Sequence, residues 1–193
     1  MRIIAGKSGG LTLTKIKGID IRPTPDRVRE SVFNILRPEL DEETVFVDLF
    51  CGTGVNGLEA LSRGVRRSIF VDKSADSLEI VRKNAEKIGV SGDCEIVRGS
   101  IPGKLSSLSR RFASDNSGAA WIIYADPPYD FEDYLSLLEG VLSTRWVGPE
   151  CLLMVEHEVK AYLPSEVGSL HRYREESYGR TQVSFYRNEV SAS

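Results

Sequence analysis

Histidine and cysteine are scarce in this 193-residue chain, which has two histidines, His157 and His171, and three cysteines, Cys51, Cys94 and Cys151. No two cysteines stand close enough to begin a zinc site or a disulfide framework, and two histidines give little material for a metal cluster or a Ser-His-Asp triad. No metal is expected, and the cysteines read as small buried apolar residues. No apolar stretch is long enough to cross a bilayer, and Met1-Arg2-Ile3-Ile4-Ala5-Gly6-Lys7 lacks the apolar core of a secretory signal. A cytoplasmic protein without membrane contact is therefore expected. A large charge of one sign is also missing: the net charge is −3, with 41% apolar and 27% charged residues, as in globular proteins. The charge is uneven, however. Residues 1–40 hold eight basic side chains against four acids, a net of +4 that leaves about −7 elsewhere.

What is present is a repeating pattern. Residues 2–5 and 11–14 suit a short hairpin around Lys7-Ser8-Gly9-Gly10, expected as an appendage over 1–20. Thr24-Pro25 supplies a helix start, and Val28, Val32, Ile35 and Leu36 follow at helical spacing, which predicts a helix over 25–37. From residue 44 onward short apolar runs alternate with helical periods. Strands are predicted over 45–49, 68–72, 94–97, 121–125 and 151–156, and helices over 54–63, 74–88, 101–108 and 134–142. Residues 114–118 read as a loop. Segments 170–173 and 181–186 have strand character with no helix between them, which predicts an antiparallel edge hairpin. The fold class expected is α/β and Rossmann-like: a mostly parallel sheet with helices on both faces, one main domain over 21–187 and a tail over 188–193.

In open parallel sheets ligands bind beyond the carboxyl ends of the strands. Four acids fall there: Asp48, Asp72, Asp126 and Glu156. Between the first strand and its helix, Gly52-Thr53-Gly54-Val55-Asn56-Gly57 contains G-x-G-x-x-G, and Asp72 lies twenty positions after Gly52, placed to bind ribose hydroxyls. That pattern suits NAD or another adenosine cofactor. Asp48 would oppose a pyrophosphate but favours a ligand carrying an ammonium and a sulfonium. Asp126-Pro127-Pro128-Tyr129, directly after an apolar run, forces a turn that sets an acid, free carbonyls and an aromatic ring at a strand end. Such a turn suits an exocyclic amine, which methyl transfer needs and hydride transfer does not. S-adenosylmethionine is thereby favoured over NAD.

Asp126-Pro127-Pro128-Tyr129 resembles the [DNS]-P-P-[YFW] signature of amino-methyltransferases. Residues 2–6 (RIIAG), 22–30 (RPTPDRVRE) and 57–64 (GLEALSRG), with Val155-Glu156-His157, Tyr178-Gly179 and Ser184-Phe185-Tyr186, resemble the bacterial 16S rRNA (guanine966-N2)-methyltransferase family. The resemblance implies a class I S-adenosylmethionine-dependent methyltransferase acting on the N2 amine of a guanine in 16S rRNA of the small subunit or its assembly intermediate; a monomer is expected. It implies cofactor contacts from Asp48, Phe50, Gly52, Gly54, Asp72, Lys73, Ser100 and Ile101. Two departures are visible: Gly99-Ser100-Ile101 stands where many relatives carry an acid, and Asp72 where glutamate is usual. Asp126 and the Pro127 carbonyl are expected to accept the amine hydrogens while Tyr129 stacks on the base. Lys7, Arg22, Arg27 and Arg29 are expected to meet RNA phosphates. Three other readings stand beside this one: a DNA adenine-N6 or cytosine-N4 methyltransferase, an NAD-dependent oxidoreductase, and a non-catalytic ribosome-assembly factor.

Overall fold

The computed structural model describes residues 1–14, 26–112, 119–144, 146–148 and 151–189. They fall into two compact units, Met1–Arg98 and Gly99–Ser193.

The first unit contains α1 (Asp26–Leu36), β1 (Val45–Leu49), α2 (Val55–Ser62), β2 (Arg67–Asp72), α3 (Ala75–Ile88) and β3 (Cys94–Arg98), with 3-10 turns at Arg37–Glu39 and Ser91–Asp93. Its strands run in the order β3-β2-β1 and pair in parallel, Val47 beside Ile69 and Phe70 beside Ile96. Every residue of β1 is buried, which fits a run without polar alternation. The α3 helix starts on Ser74, whose hydroxyl accepts the Ser77 N–H, and stops at Gly89 in the left-handed conformation. Gly57 lets α2 lie against β2, since a Cβ there would sit 2.3 Å from the buried Phe70 ring.

The predicted amino-terminal hairpin contracts to one bridge, Arg2 to Thr12, with Ile3 and Leu11 bonded through their backbones. What holds this segment is α2. The buried Glu59 carboxylate accepts the N–H groups of Ile4 (2.6 Å) and Ala5 (3.1 Å), and Lys7 N–H donates to the Ser62 carbonyl (2.7 Å). The predicted 25–37 helix appears as α1, and its Thr24-Pro25 start lies outside the described residues.

The second unit contains α4 (Leu105–Arg111), β4 (Trp121–Ala125), α5 (Tyr134–Leu142), β5 (Leu152–Glu158), β6 (Glu166–Val167), β7 (Leu170–Tyr178) and β8 (Thr181–Asn188). Strand order is β4-β5-β8-β7-β6; β4 and β5 are parallel and the remaining pairs antiparallel. The edge hairpin is thus present, longer than predicted and extended by the two-residue β6. The helix predicted over 101–108 begins only at Leu105, because residues 100–104 form a turn in which the Ser100 carbonyl accepts the Lys104 N–H. Trp121 and Trp146 are both buried and stack at 5.4 Å and 12°.

Candidate functional site

In the first unit β1 delivers Asp48 to the start of α2. Gly54, the residue that caps this helix, has no side chain to satisfy its first N–H groups. Asp48 does so from the preceding strand, Oδ2 accepting the Gly57 N–H at 2.9 Å. The other oxygen, Oδ1, is buried without a hydrogen-bond partner. Burial pushes the Asp48 acid up to about 8; the Gly57 N–H opposes this, and the nearby Asp72 carboxylate adds to it. A cation or a hydrogen-bond donor set against Oδ1 would restore the charged form.

The loop between β1 and α2 is built on left-handed residues: Phe50 (φ 58°), Gly52 (φ 52°) and Gly54 (φ 76°). The two glycines are needed for different reasons. A Cβ on Gly54 would meet Val81 at 2.8 Å, whereas one on Gly52 would meet nothing within 4 Å. Gly52 thus leaves open room beside the loop, and its N–H donates to Asp72 Oδ2 at 2.9 Å. Asp72 Oδ1 accepts the Ser74 N–H at 2.8 Å. The acid at the end of β2 is thereby tied to the glycine loop. Lys73 is exposed, and its carbonyl accepts from Arg98 Nε.

In the second unit Ser100 is exposed and Ile101 buried, in the turn before α4. At the end of β4, Asp126 is half-buried, Pro127 buried, and Tyr129 67% exposed. The turn is closed on Pro128, whose carbonyl accepts the Phe131 N–H at 2.9 Å. Beneath the turn, the Tyr124 hydroxyl donates to Glu156 Oε2 at 2.8 Å. The Tyr134 ring meets Phe131 and His157 edge-on, and its hydroxyl is pushed up by burial and then by the Glu158 and Asp126 carboxylates. His157 Nε2 lies 2.9 Å from Ser184 Oγ and Nδ1 2.9 Å from the Glu158 carbonyl. Burial holds this imidazole below its ordinary value, the Glu158 carbonyl and Glu175 pulling the other way.

Among the expected phosphate contacts, Lys7 and Arg27 are exposed, and Arg22 lies outside the described residues. Arg29 is a correction. Its side chain is fully buried, and Nη2 donates to the Arg2 carbonyl (2.7 Å) and Asp26 Oδ1 (3.0 Å). The reason is periodicity: Arg29, Val32, Phe33 and Leu36 form the buried stripe of α1, so the guanidinium braces the amino-terminal segment and does not reach solvent. Sequence reasoning also passed over Glu59 and Asn84. Asn84 interrupts the apolar stripe Leu78, Val81, Ala85 of α3, and a polar residue in such a stripe is the signal that could have found it. Among the described residues no cluster of His, Cys, Asp or Glu is disposed to hold a metal ion, and no helix is long and apolar enough to cross a membrane.

The chain is 32% identical over 187 residues to YlbH of Bacillus subtilis, covering 97% of this chain and 98% of that protein. It is 30% identical over 193 residues to ribosomal RNA small subunit methyltransferase D of Escherichia coli, covering 98% and 91%. The solved structure of yhhF from Escherichia coli matches with a TM-score of 0.81 at 28% identity over 98% of each chain. An RNA methyltransferase from Salinibacter ruber, solved in complex with S-adenosyl-L-homocysteine, shares the fold with a TM-score of 0.59 and 18% identity, over 89% of this chain and 97% of that one. The expected Rossmann-like class I methyltransferase fold is thus present. Residues 1–187 match the family described as Conserved hypothetical protein 95. The chain belongs to that family, with the ribosomal RNA small subunit methyltransferase D proteins that it matches along nearly its whole length.

Proposed function

We propose that this protein is an S-adenosylmethionine-dependent methyltransferase acting on the exocyclic N2 amine of a guanine in 16S rRNA of the small ribosomal subunit. The observation that carries the reading is the Asp126-Pro127-Pro128-Tyr129 turn at the end of β4, closed on the Pro128 carbonyl with Tyr129 exposed. The full-length likeness to small subunit methyltransferase D supports the choice of acceptor.

The residues present fit the cofactor. Asp48 Oδ1 is a buried acceptor without a partner, suited to an ammonium; Gly52 leaves space beside the loop; and Asp72, tied to that loop, is the carboxylate proposed to meet the ribose hydroxyls. Phe50, Gly54, Lys73, Ser100 and Ile101 complete the proposed contacts. When bound, S-adenosylmethionine supplies an electrophilic methyl group. The chain's own task is to hold the amine. A guanine N2 lone pair is delocalised into the ring, so the nitrogen is a weak nucleophile. The Asp126 carboxylate and the Pro127 carbonyl each accept one N–H, which fixes the nitrogen's direction and stabilises the positive charge that develops on it. Tyr129, largely exposed, stacks on the base once it is unpaired. Lys7, Arg22 and Arg27 are left to contact phosphates, which gives affinity without sequence information. A ribosomal RNA acceptor supports a cytoplasmic location.

The test is methylation of small-subunit particles from a strain lacking the enzyme, with the labelled nucleotide mapped. Label on a single guanine N2 is expected. Label on DNA, or none on the particles, would overturn the reading.

A further inference from the structure

The amino-terminal segment and the glycine loop meet on one side chain. Asn84, fully buried on α3, accepts the Thr14 N–H at Oδ1 (2.7 Å) and donates from Nδ2 to the Thr14 carbonyl (3.2 Å), pairing with that residue as a neighbouring strand would. The same Nδ2 donates to the Thr53 carbonyl (3.3 Å), between Gly52 and Gly54. A second link runs alongside, the Thr53 hydroxyl donating to Met1 Sδ at 3.3 Å. Both ends of the described segment, Met1 and Thr14, are thus bonded to the loop or to the residue that holds it.

We infer that Asn84 is a positioning residue for the cofactor loop, and that the amino-terminal segment acts on cofactor binding through it. The inference rests on the reading that this loop holds S-adenosylmethionine. A loop with three residues at positive φ has many conformations open to it when free, and fixing it beforehand removes part of the entropy cost of binding. The Thr53 carbonyl is fixed by Asn84, and the Asn84 amide is in turn oriented by the backbone of Thr14. Thr14 itself is exposed, and its bonds to this region run through its backbone to Asn84. Linkage then runs both ways: cofactor binding must steady the segment as the segment steadies the loop.

Two variants probe the link. Thr14→Pro removes the N–H that Asn84 Oδ1 accepts, while also fixing φ at that position, and Asn84→Ala removes the bridge. Calorimetric titration with S-adenosylhomocysteine should show each weakened about three- to tenfold, the effect of one hydrogen bond, and the double variant no weaker than Asn84→Ala alone. In the ligand-free protein the Gly54 amide, bonded to the Cys51 carbonyl, should exchange its hydrogen faster in both variants. Affinity unchanged by Thr14→Pro, or losses that simply add in the double variant, would overturn the inference. If the unaltered protein binds no S-adenosylhomocysteine, the cofactor reading fails, and Gly54 exchange unaffected by Thr14→Pro would still refute the link.

Discussion

Asp48 Oδ2 accepts the Gly57 amide hydrogen at 2.9 Å, joining the end of β1 to the first turn of α2 while Oδ1 of the same buried carboxyl has no partner. With its acid pushed up to about 8 by burial, the folded, ligand-free protein holds a proton that the unfolded chain, at 3.8, releases. Asp48 therefore lowers stability as pH rises between those values, and the loss ceases above the folded value. Asp48→Asn abolishes this slope, so its stability advantage over the parent should widen by about 1 kcal/mol per pH unit between roughly pH 5 and pH 7. Urea melts across that range check it. The same variant should lose S-adenosylhomocysteine affinity, which separates the group's cost to folding from its use in binding.

A bound ammonium favours the Asp48 carboxylate, so cofactor binding near neutral pH should expel a proton. Calorimetry in buffers of different ionisation enthalpy measures the number released. A value of zero would mean that Asp48 Oδ1 does not face the ligand's charge.

Asp126→Ala should reduce turnover on small-subunit particles by on the order of a hundredfold or more while leaving S-adenosylhomocysteine affinity within about twofold. Asp126→Asn keeps one acceptor oxygen and should fall between the two. Equal losses in turnover and affinity would instead point to a disturbed β4 turn.

Glu59 anchors the amino-terminal segment through Ile4 and Ala5 and pairs with Arg63 Nε at 2.7 Å. Glu59→Ala takes a buried acceptor from these part-buried donors and should cost about 3 kcal/mol in a denaturant melt. Glu59→Gln, which keeps an acceptor, should cost less.

His157 is held neutral by burial, so the unfolded chain takes up a proton first as pH falls through about 6.5, and stability attributable to this residue declines below that point. His157→Gln has no such group. The difference between its melts and those of the parent should therefore shrink as pH is lowered below that point.

Much of this fold is written plainly in apolar runs. β1, β4 and α5 have the predicted bounds because each is a short buried run or an amphipathic turn closed by clear stop signals, as with the two prolines after Asp126. The glycine loop is legible for a similar reason: close approach and positive φ require glycine at fixed spacing. Arg29 was misread because charge suggests solvent, whereas its position on α1 lies in the buried stripe. Glu59 and Asn84 escaped because their partners are backbone groups fifty-five and seventy residues away, and a carbonyl or an amide carries no mark in the sequence. The late start of α4 has the same origin, a backbone turn closed between Ser100 and Lys104.

The chain has two tryptophans, and the stacked pair Trp121 and Trp146 accounts for both of them. Indole emission is thus a private signal of the Gly99–Ser193 unit. The Met1–Arg98 unit, with phenylalanine but no tryptophan, is dark at the same excitation. Comparing a fluorescence-monitored melt with one followed by backbone circular dichroism would therefore show whether the half that carries Asp48 and the half that carries Asp126 unfold together.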